Sequence, residues 1–376
     1  MAKTIVELLK QTKEYEDNLI GFESEDISNE DLQPIPYPSD DIRISQHMYS
    51  IYQIYYWIDQ EILVLQPDFQ RNQVWDVQRK SLLIESVMLR IPIPAFYFQE
   101  DSEGNKMVID GLQRLSAIYA FMQDGFRLKG LQYLQDCEKL TYSELPKKYR
   151  IRIQETQLAV NILDSRCSER VKFDVFRRVN TGGVPLNSQE IRNIMANNAV
   201  RQLLRNMSQS EEFIMATRGR VHDIRMDAQE LCLRFIAFYI RYDNHQLKDL
   251  YSLAPLLDEI VVMLNRKSSD ELLCFETVFC ESMAKCAALL GETAFSKKNS
   301  THIINKPLFI SWSVILAYRT ESVELLRSKR DEAVRLQYQY FQEGEYFNAI
   351  TSSTTTRRNI RLQFEAVERI LEELFS

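Results

Sequence analysis

Met107-Val108-Ile109-Asp110-Gly111-Leu112-Gln113-Arg114-Leu115-Ser116-Ala117-Ile118 changes its hydrophobic period in the middle, and that change decides the fold. Lys106 to Ile109 is short, apolar and β-branched, and it follows the turn-forming Asp101-Ser102-Glu103-Gly104-Asn105, so it reads as a buried strand. Beyond Asp110-Gly111 the apolar residues Leu112, Leu115, Ile118, Tyr119 and Met122 recur at helical spacing. A strand, a tight turn and a helix follow. Such a junction leaves free N–H groups and the positive end of a helix dipole, which suits an anion. Gln113 and Arg114 fall in that first turn, where a guanidinium can grip a phosphate with two donors. On spacing alone an ordinary reading stands equally: Asp110 caps the helix, Gly111 makes the turn and Arg114 is solvated.

Working upstream, Ala95-Phe96-Tyr97-Phe98 forms a second strand that would pair with Met107–Ile109 through the Asp101–Asn105 turn. Val77 to Leu89 reads as a helix with Leu82, Leu83, Ser86 and Val87 inward, ended by Pro92 and Pro94. Tyr49 to Trp57 reads as the first core helix, followed by a short strand Ile62 to Leu65 and a polar, aromatic loop from Asp68 to Trp75. Downstream, Thr156–Leu163 gives another strand and Glu169–Val179 another helix. These elements make residues 45–195 an α+β domain. Past Asn193 the pattern is helical: 226–242, 251–265, 270–290, 307–318, 323–341 and 355–374 predict a domain of about six helices over 196–376.

Residues 1–44 differ from the rest. They hold Lys3, Lys10, Lys13 and Arg43 against eleven acids, which accounts for the chain's whole net charge of −7. With Pro34, Pro36 and Pro38 and no periodic apolar face beyond residue 21, this segment reads as an extended, solvated arm. The remaining residues are formally neutral, yet 165–225 is arginine-rich, so a low overall pI does not exclude a polyanion-binding face.

At 376 residues, 45% hydrophobic and 26% charged, the composition is that of a globular protein with room for two cores. Neither a membrane-length apolar run nor a signal-peptide pattern is visible, which gives a cytoplasmic expectation. The six cysteines form no CxxC pair; Cys274, Cys280 and Cys286 recur every six residues, but six residues turn a helix by about 240°, so they share no face. They read as reduced thiols. There is no GxxxxGK[ST], which excludes a P-loop, and the four histidines form no HNH or HExxH arrangement.

Two further stretches carry chemistry. Asn180-Thr181-Gly182-Gly183 follows a helix with basic residues in its last turn, and one glycine would suffice for a C-cap. Asn187-Ser188-Gln189-Glu190 fits a capping box, with Glu190 reaching back to the cap. The run Thr351-Ser352-Ser353-Thr354-Thr355-Thr356-Arg357-Arg358 reads as a cap into a basic helix start, with hydroxyls that also suit phosphate oxygens.

Asp110-Gly111-Leu112-Gln113-Arg114 resembles the DGQQR signature of the S half of GmrSD-type, modification-dependent restriction systems, in the ParB/sulfiredoxin-like group, with Leu112 in place of the first Gln. Pro67-Asp68-Phe69-Gln70-Arg71-Asn72-Gln73-Val74-Trp75 is similar to that family's PxFQRxxVW segment. Phe176 to Glu190 is similar to its FxRxNxxGxxLxxxE segment. The resemblance implies a nucleotide-binding, NTP-hydrolysing regulatory or sensor protein of a bacterial anti-phage system. Asp110, Gln113 and Arg114 would then be catalytic, and Gln70, Arg71, Gly111, Asn180, Thr181, Gly182, Gly183 and Glu190 would bind the nucleotide, with Glu190 fixing an arginine such as Arg71 or Arg114. An NTP with Mg²⁺ is the implied cofactor, the ion arriving on the phosphates and touching Asp110. DNA and a separate nuclease subunit are implied partners, since such systems use an HNH nuclease that is not found here. Two other classes are weighed: a DNA-binding module without a nucleotide, using 165–225, and a DNase whose own ParB-like pocket cuts.

Overall fold

The computed structural model describes residues 21–23, 38, 41–65, 75–179, 186–223, 225–243, 252–297 and 303–376. The chain is α+β and divides into two compact units, Pro36–Leu186 and Asn187–Ser376, the latter together with Met1–Ile35.

In the first unit β1 (Ile44–Ser50), β2 (Leu63–Val64), β3 (Phe96–Glu100), β4 (Lys106–Asp110) and β5 (Gln157–Leu163) form one sheet in the order β1-β5-β3-β4-β2. The β3–β4 hairpin is antiparallel, as its turn sequence predicts, and a register shift lies between Tyr97 and Phe98. Asp101 builds the turn by accepting from the N–H groups of Glu103 (2.8 Å) and Asn105 (2.9 Å). Its carboxyl is held below the usual range by these bonds and by Asn105's side chain, against the opposing effect of burial. β5 runs parallel to β3 and antiparallel to β1.

Helices α1 (Ile51–Asp59), α2 (Val77–Met88), α3 (Leu112–Met122), α4 (Lys147–Glu155) and α5 (Glu169–Val179) complete the unit. Ile54, Val87, Phe96, Phe98, Leu115, Phe121, Ile153 and Val160 meet in its core. Two differences from the sequence reading have physical reasons. Tyr49 and Ser50 end a strand rather than starting a helix: β1 is exposed along most of its length, so it lacks the apolar alternation that marks a half-buried strand. On α2, Leu83 and Val87 are buried as expected, but Ser81, Ile84, Glu85 and Met88 join them while Leu82 and Ser86 are half-buried. Glu85 is admitted because its carboxylate accepts from three backbone N–H groups, those of Gln132, Tyr133 and Leu134, at 3.0, 2.7 and 2.8 Å.

The second unit is helical: α6 (Ser188–Met195), α7 (Asn198–Gln209), α8 (Glu211–Thr217), α9 (Asp227–Asp243), α10 (Leu253–Leu264), α11 (Ser269–Leu290), α12 (Lys306–Tyr318), α13 (Val323–Ser328), α14 (Arg330–Tyr340), α15 (Gly344–Ala349) and α16 (Arg357–Phe375). That exceeds the six expected. Asn197 and Ser210 each cap a new helix with their side chains, and the expected 323–341 helix breaks at Lys329. α12 is buried on all sides from Pro307 to Leu316 and forms the centre of the unit, an apolar helix that only a core can hold. One part of the expected arm is docked: Phe22 is buried and bridges Ile304, and Glu23 pairs with Lys297 at 2.7 Å. No described helix is long and apolar enough to cross a membrane.

Candidate functional site

The strand–turn–helix junction is present as read, with a different division of labour. Asp110 is the last residue of β4, and Gly111 is the residue before α3, at φ 96°. Glycine is required twice over here. Its positive φ disfavours any side chain, and a Cβ would lie 2.3 Å from Cδ1 and 2.7 Å from Cε1 of the buried Phe96. Asp110 does not cap α3: no side chain makes a cap bond at its start. It binds Arg114 instead, whose Nη2 donates to Asp110 Oδ2 at 2.6 Å.

Arg114 is neither solvated nor idle. Nη2 also donates to the carbonyl of Ala95 (3.3 Å), Nη1 donates to the carbonyl of Pro94, and the guanidinium stacks on Phe96 with 4.4 Å to the ring centre. The segment entering β3 is thereby fastened to the start of α3. Burial pushes the Asp110 carboxyl above its ordinary value, and Arg114 and the Gly111 N–H oppose this without cancelling it. Burial likewise lowers the Arg114 pKa, opposed by Asp110. The pair is a charged, partly desolvated couple at the end of a sheet, beside a helix start whose N–H groups have no side-chain cap. Gln113 sits half-buried in the same first turn.

Of the remaining expected residues, Gln70, Arg71, Asn180, Thr181, Gly182 and Gly183 lie outside the described residues. Trp75, at the end of the first motif, is stacked by Arg79 at 4.5 Å. Glu190 lies in the helical unit. Its Oε2 accepts from the Asn187 N–H (2.7 Å) in a complete capping box, and from Arg225 Nη2 (2.7 Å). The arginine it holds there is Arg225, the last arginine of the 165–225 stretch.

The arginine-rich stretch does not assemble into one run of free cations. Arg166, Arg178, Arg192, Arg218 and Arg225 each pair with a carboxylate. Arg192 is almost wholly buried, bonding Asp258 through Nε at 2.9 Å and approaching Glu230 at 3.9 Å. Glu230 also takes Arg234 (2.6 Å) and Lys306 (3.6 Å). Burial alone would push the Glu230 carboxyl up, but Arg234, Lys306 and Arg192 together hold it well below the carboxylate range. Of these contacts only the i,i+4 pair Glu230–Arg234 is local; Glu230 and Asp258 lie 38 and 66 residues from Arg192, and Lys306 lies 76 residues from Glu230, so sequence spacing does not show them. At the C-terminal hydroxyl run, Thr356 caps α16 and Arg358 pairs with Glu345, as ordinary capping predicts. Among the described residues no group of three or more His, Cys, Asp or Glu is arranged to hold a metal, and the six cysteines are free thiols.

The α+β domain thus carries an acid–arginine couple at a strand–glycine–helix junction. Residues 51–196 match the family model of the GmrSD restriction endonuclease N-terminal domain, so this segment is similar to that domain. The match runs from the first residue of α1 through α6. No curated protein and no solved structure matches the chain.

Proposed function

We propose that the chain is a nucleotide-binding, NTP-hydrolysing regulatory protein of a bacterial anti-phage, modification-dependent restriction system. The observation that carries this reading is the Asp110–Arg114 couple at the uncapped start of α3, inside a GmrSD-type N-terminal domain. Triphosphate oxygens fit the free N–H groups of the first turn. Gln113 is in place to add a side-chain contact. Asp110, with its carboxyl shifted upward, suits orienting a water, and it is one carboxylate available to a Mg²⁺ that arrives on the phosphates. Arg114 acts here first as a positioning residue, since its donors already hold Asp110, Pro94 and Ala95. Arg71 and the Asn180–Gly183 segment complete the phosphate and ligand contacts in this reading, and Glu190 serves the helical unit. A DNA partner and a separate nuclease subunit belong to the same proposal.

The test is equilibrium titration with each NTP in Mg²⁺, with phosphate release followed in parallel. Wild type binds saturably; Arg71→Ala weakens binding about ten-fold or more, because a charge-assisted contact contributes about 1.5–3 kcal/mol. Asp110→Asn keeps the shape of the couple and binds, but turns over more slowly. Absence of saturable binding, or variants equal to wild type with unchanged circular dichroism, removes the pocket. A metal-dependent cut in DNA by the pure chain, lost in Asp110→Asn, would promote the nuclease alternative.

A further inference from the structure

We propose that β1 is a self-association edge, through which two copies of this chain join antiparallel into one continuous sheet. β1 is the outermost strand of the sheet, and its register with β5 runs unbroken from Ile44↔Leu163 to Ser50↔Gln157. The inner bonds fix its parity. The Arg43 carbonyl accepts from the Asp164 N–H (3.1 Å), and the Ile51 N–H donates to the Thr156 carbonyl (2.9 Å). In an antiparallel ladder bonded pairs recur at every second residue, so Ser45, His47 and Tyr49 face β5. Ile44, Gln46 and Met48 therefore direct their N–H and C=O groups outward.

Proteins ordinarily guard such an edge with lysine, proline, a bulge or a very short strand. The opposite edge, β2, is two residues long. β1 has seven residues, Ile-Ser-Gln-His-Met-Tyr-Ser, with no Lys, no Pro, no acid and no register shift, and Ile44 through Met48 are all exposed. Its outward residues expose apolar side chains, Ile44 at 41% and Met48 at 57%. His47 is held in place by Ser45 (2.9 Å) and by stacking on Tyr49.

A second copy is the occupant because the pattern is self-complementary about Gln46. With a two-fold axis there, Gln46 lies opposite Gln46 of the second copy, and Ile44 lies opposite its Met48 on both sides. Each of these three pairs exchanges two backbone hydrogen bonds, the two amides bond to each other, and apolar meets apolar. No like charges face one another. A closed, isologous dimer results.

Sedimentation at micromolar concentration reads the outcome. Wild type runs at twice the chain mass. Gln46→Pro, which removes only an outward N–H, runs at single mass with unchanged circular dichroism and Tm. In a Cys274→Ser background, Gln46→Cys cross-links to itself on oxidation, whereas Ile44→Cys cross-links only when mixed with Met48→Cys. A monomeric wild type, a dimer indifferent to Gln46→Pro, or self-cross-linking by Ile44→Cys equal to that of Gln46→Cys overturns the proposal.

Discussion

Two acid–arginine arrangements in this chain use the same side chains to opposite ends. In the helical unit Glu230 faces Arg234, Lys306 and Arg192, while Arg192 is also held by Asp258, and the Glu230 carboxyl is kept firmly ionised. At the end of β4, Asp110 faces one guanidinium, which divides its donors between that carboxylate and two carbonyls, and burial prevails over pairing. A carboxylate surrounded by several cations is locked into one protonation state and serves the fold. One held by a single shared cation sits nearer the balance point at which a proton can be taken or released, which is the condition for acid–base work. On the proposed function, the junction is the candidate for chemistry and the cluster in the helical unit serves the architecture.

The sharpest way to break it is Arg192→Ala. Arg192 is 2% exposed, and its removal takes a buried cation away from the Asp258 carboxylate and leaves Glu230 with less compensation. Breaking a buried pair from one side costs about 3–5 kcal/mol. Urea unfolding followed by circular dichroism should show the helical unit losing stability on that scale. Nucleotide affinity per folded molecule should stay as it was. A loss of affinity without a loss of stability would move the site toward the helical unit.

Next in size is Gly111→Ala. The left-handed backbone and the 2.3 Å approach to Phe96 together should cost about 2–3 kcal/mol, through strain and overpacking. Gly344→Ala, at a glycine with nothing near its missing Cβ, should be nearly neutral and serves as the control. Thermal melts of both variants decide this. Equal Tm values in the pair would mean that the Phe96 ring gives way, and the junction would lose its claim to rigidity.

Much of the first unit was legible in the sequence because its signals are local. The period change at Asp110-Gly111, the Asp101–Asn105 turn, and the helix over 169–179 all show in neighbouring residues, and each is found in place. Local patterns also gave the capping box at Asn187. What was not legible depends on distance along the chain. Nothing near Arg114 announces that its donors belong to Pro94 and Ala95, twenty and nineteen residues upstream. Glu85 looks like a surface residue until the N–H groups of 132–134 are brought to it. β1 escaped notice for another reason: an exposed edge has no buried face to impose period two.

The smallest effect tests where Glu190 belongs in the comparison, and it is the most diagnostic. Glu190 is 2% exposed, and one oxygen, Oε2, serves both the Asn187 N–H and Arg225 Nη2 at 2.7 Å, while Oε1 lies 3.4 Å from Arg225 Nε. Gln can still accept from Asn187, so Glu190→Gln keeps the capping box. It loses the charge on Arg225 and turns an amide N–H₂ toward a guanidinium that has no acceptor to offer. Arg225 is 35% exposed, so water takes up much of the difference, and the cost should be about 1 kcal/mol. Arg225→Ala should cost about the same, and the two together should cost clearly less than their sum, since each removes the same contact. Measured Tm values for the two singles and the double give this coupling directly. If Glu190 serves only the fold, turnover per folded molecule is unchanged in all three variants. Should Glu190→Gln slow NTP hydrolysis while Arg225→Ala does not, its carboxylate acts on something other than Arg225, and Glu190 moves from the architectural side of the comparison to the chemical one.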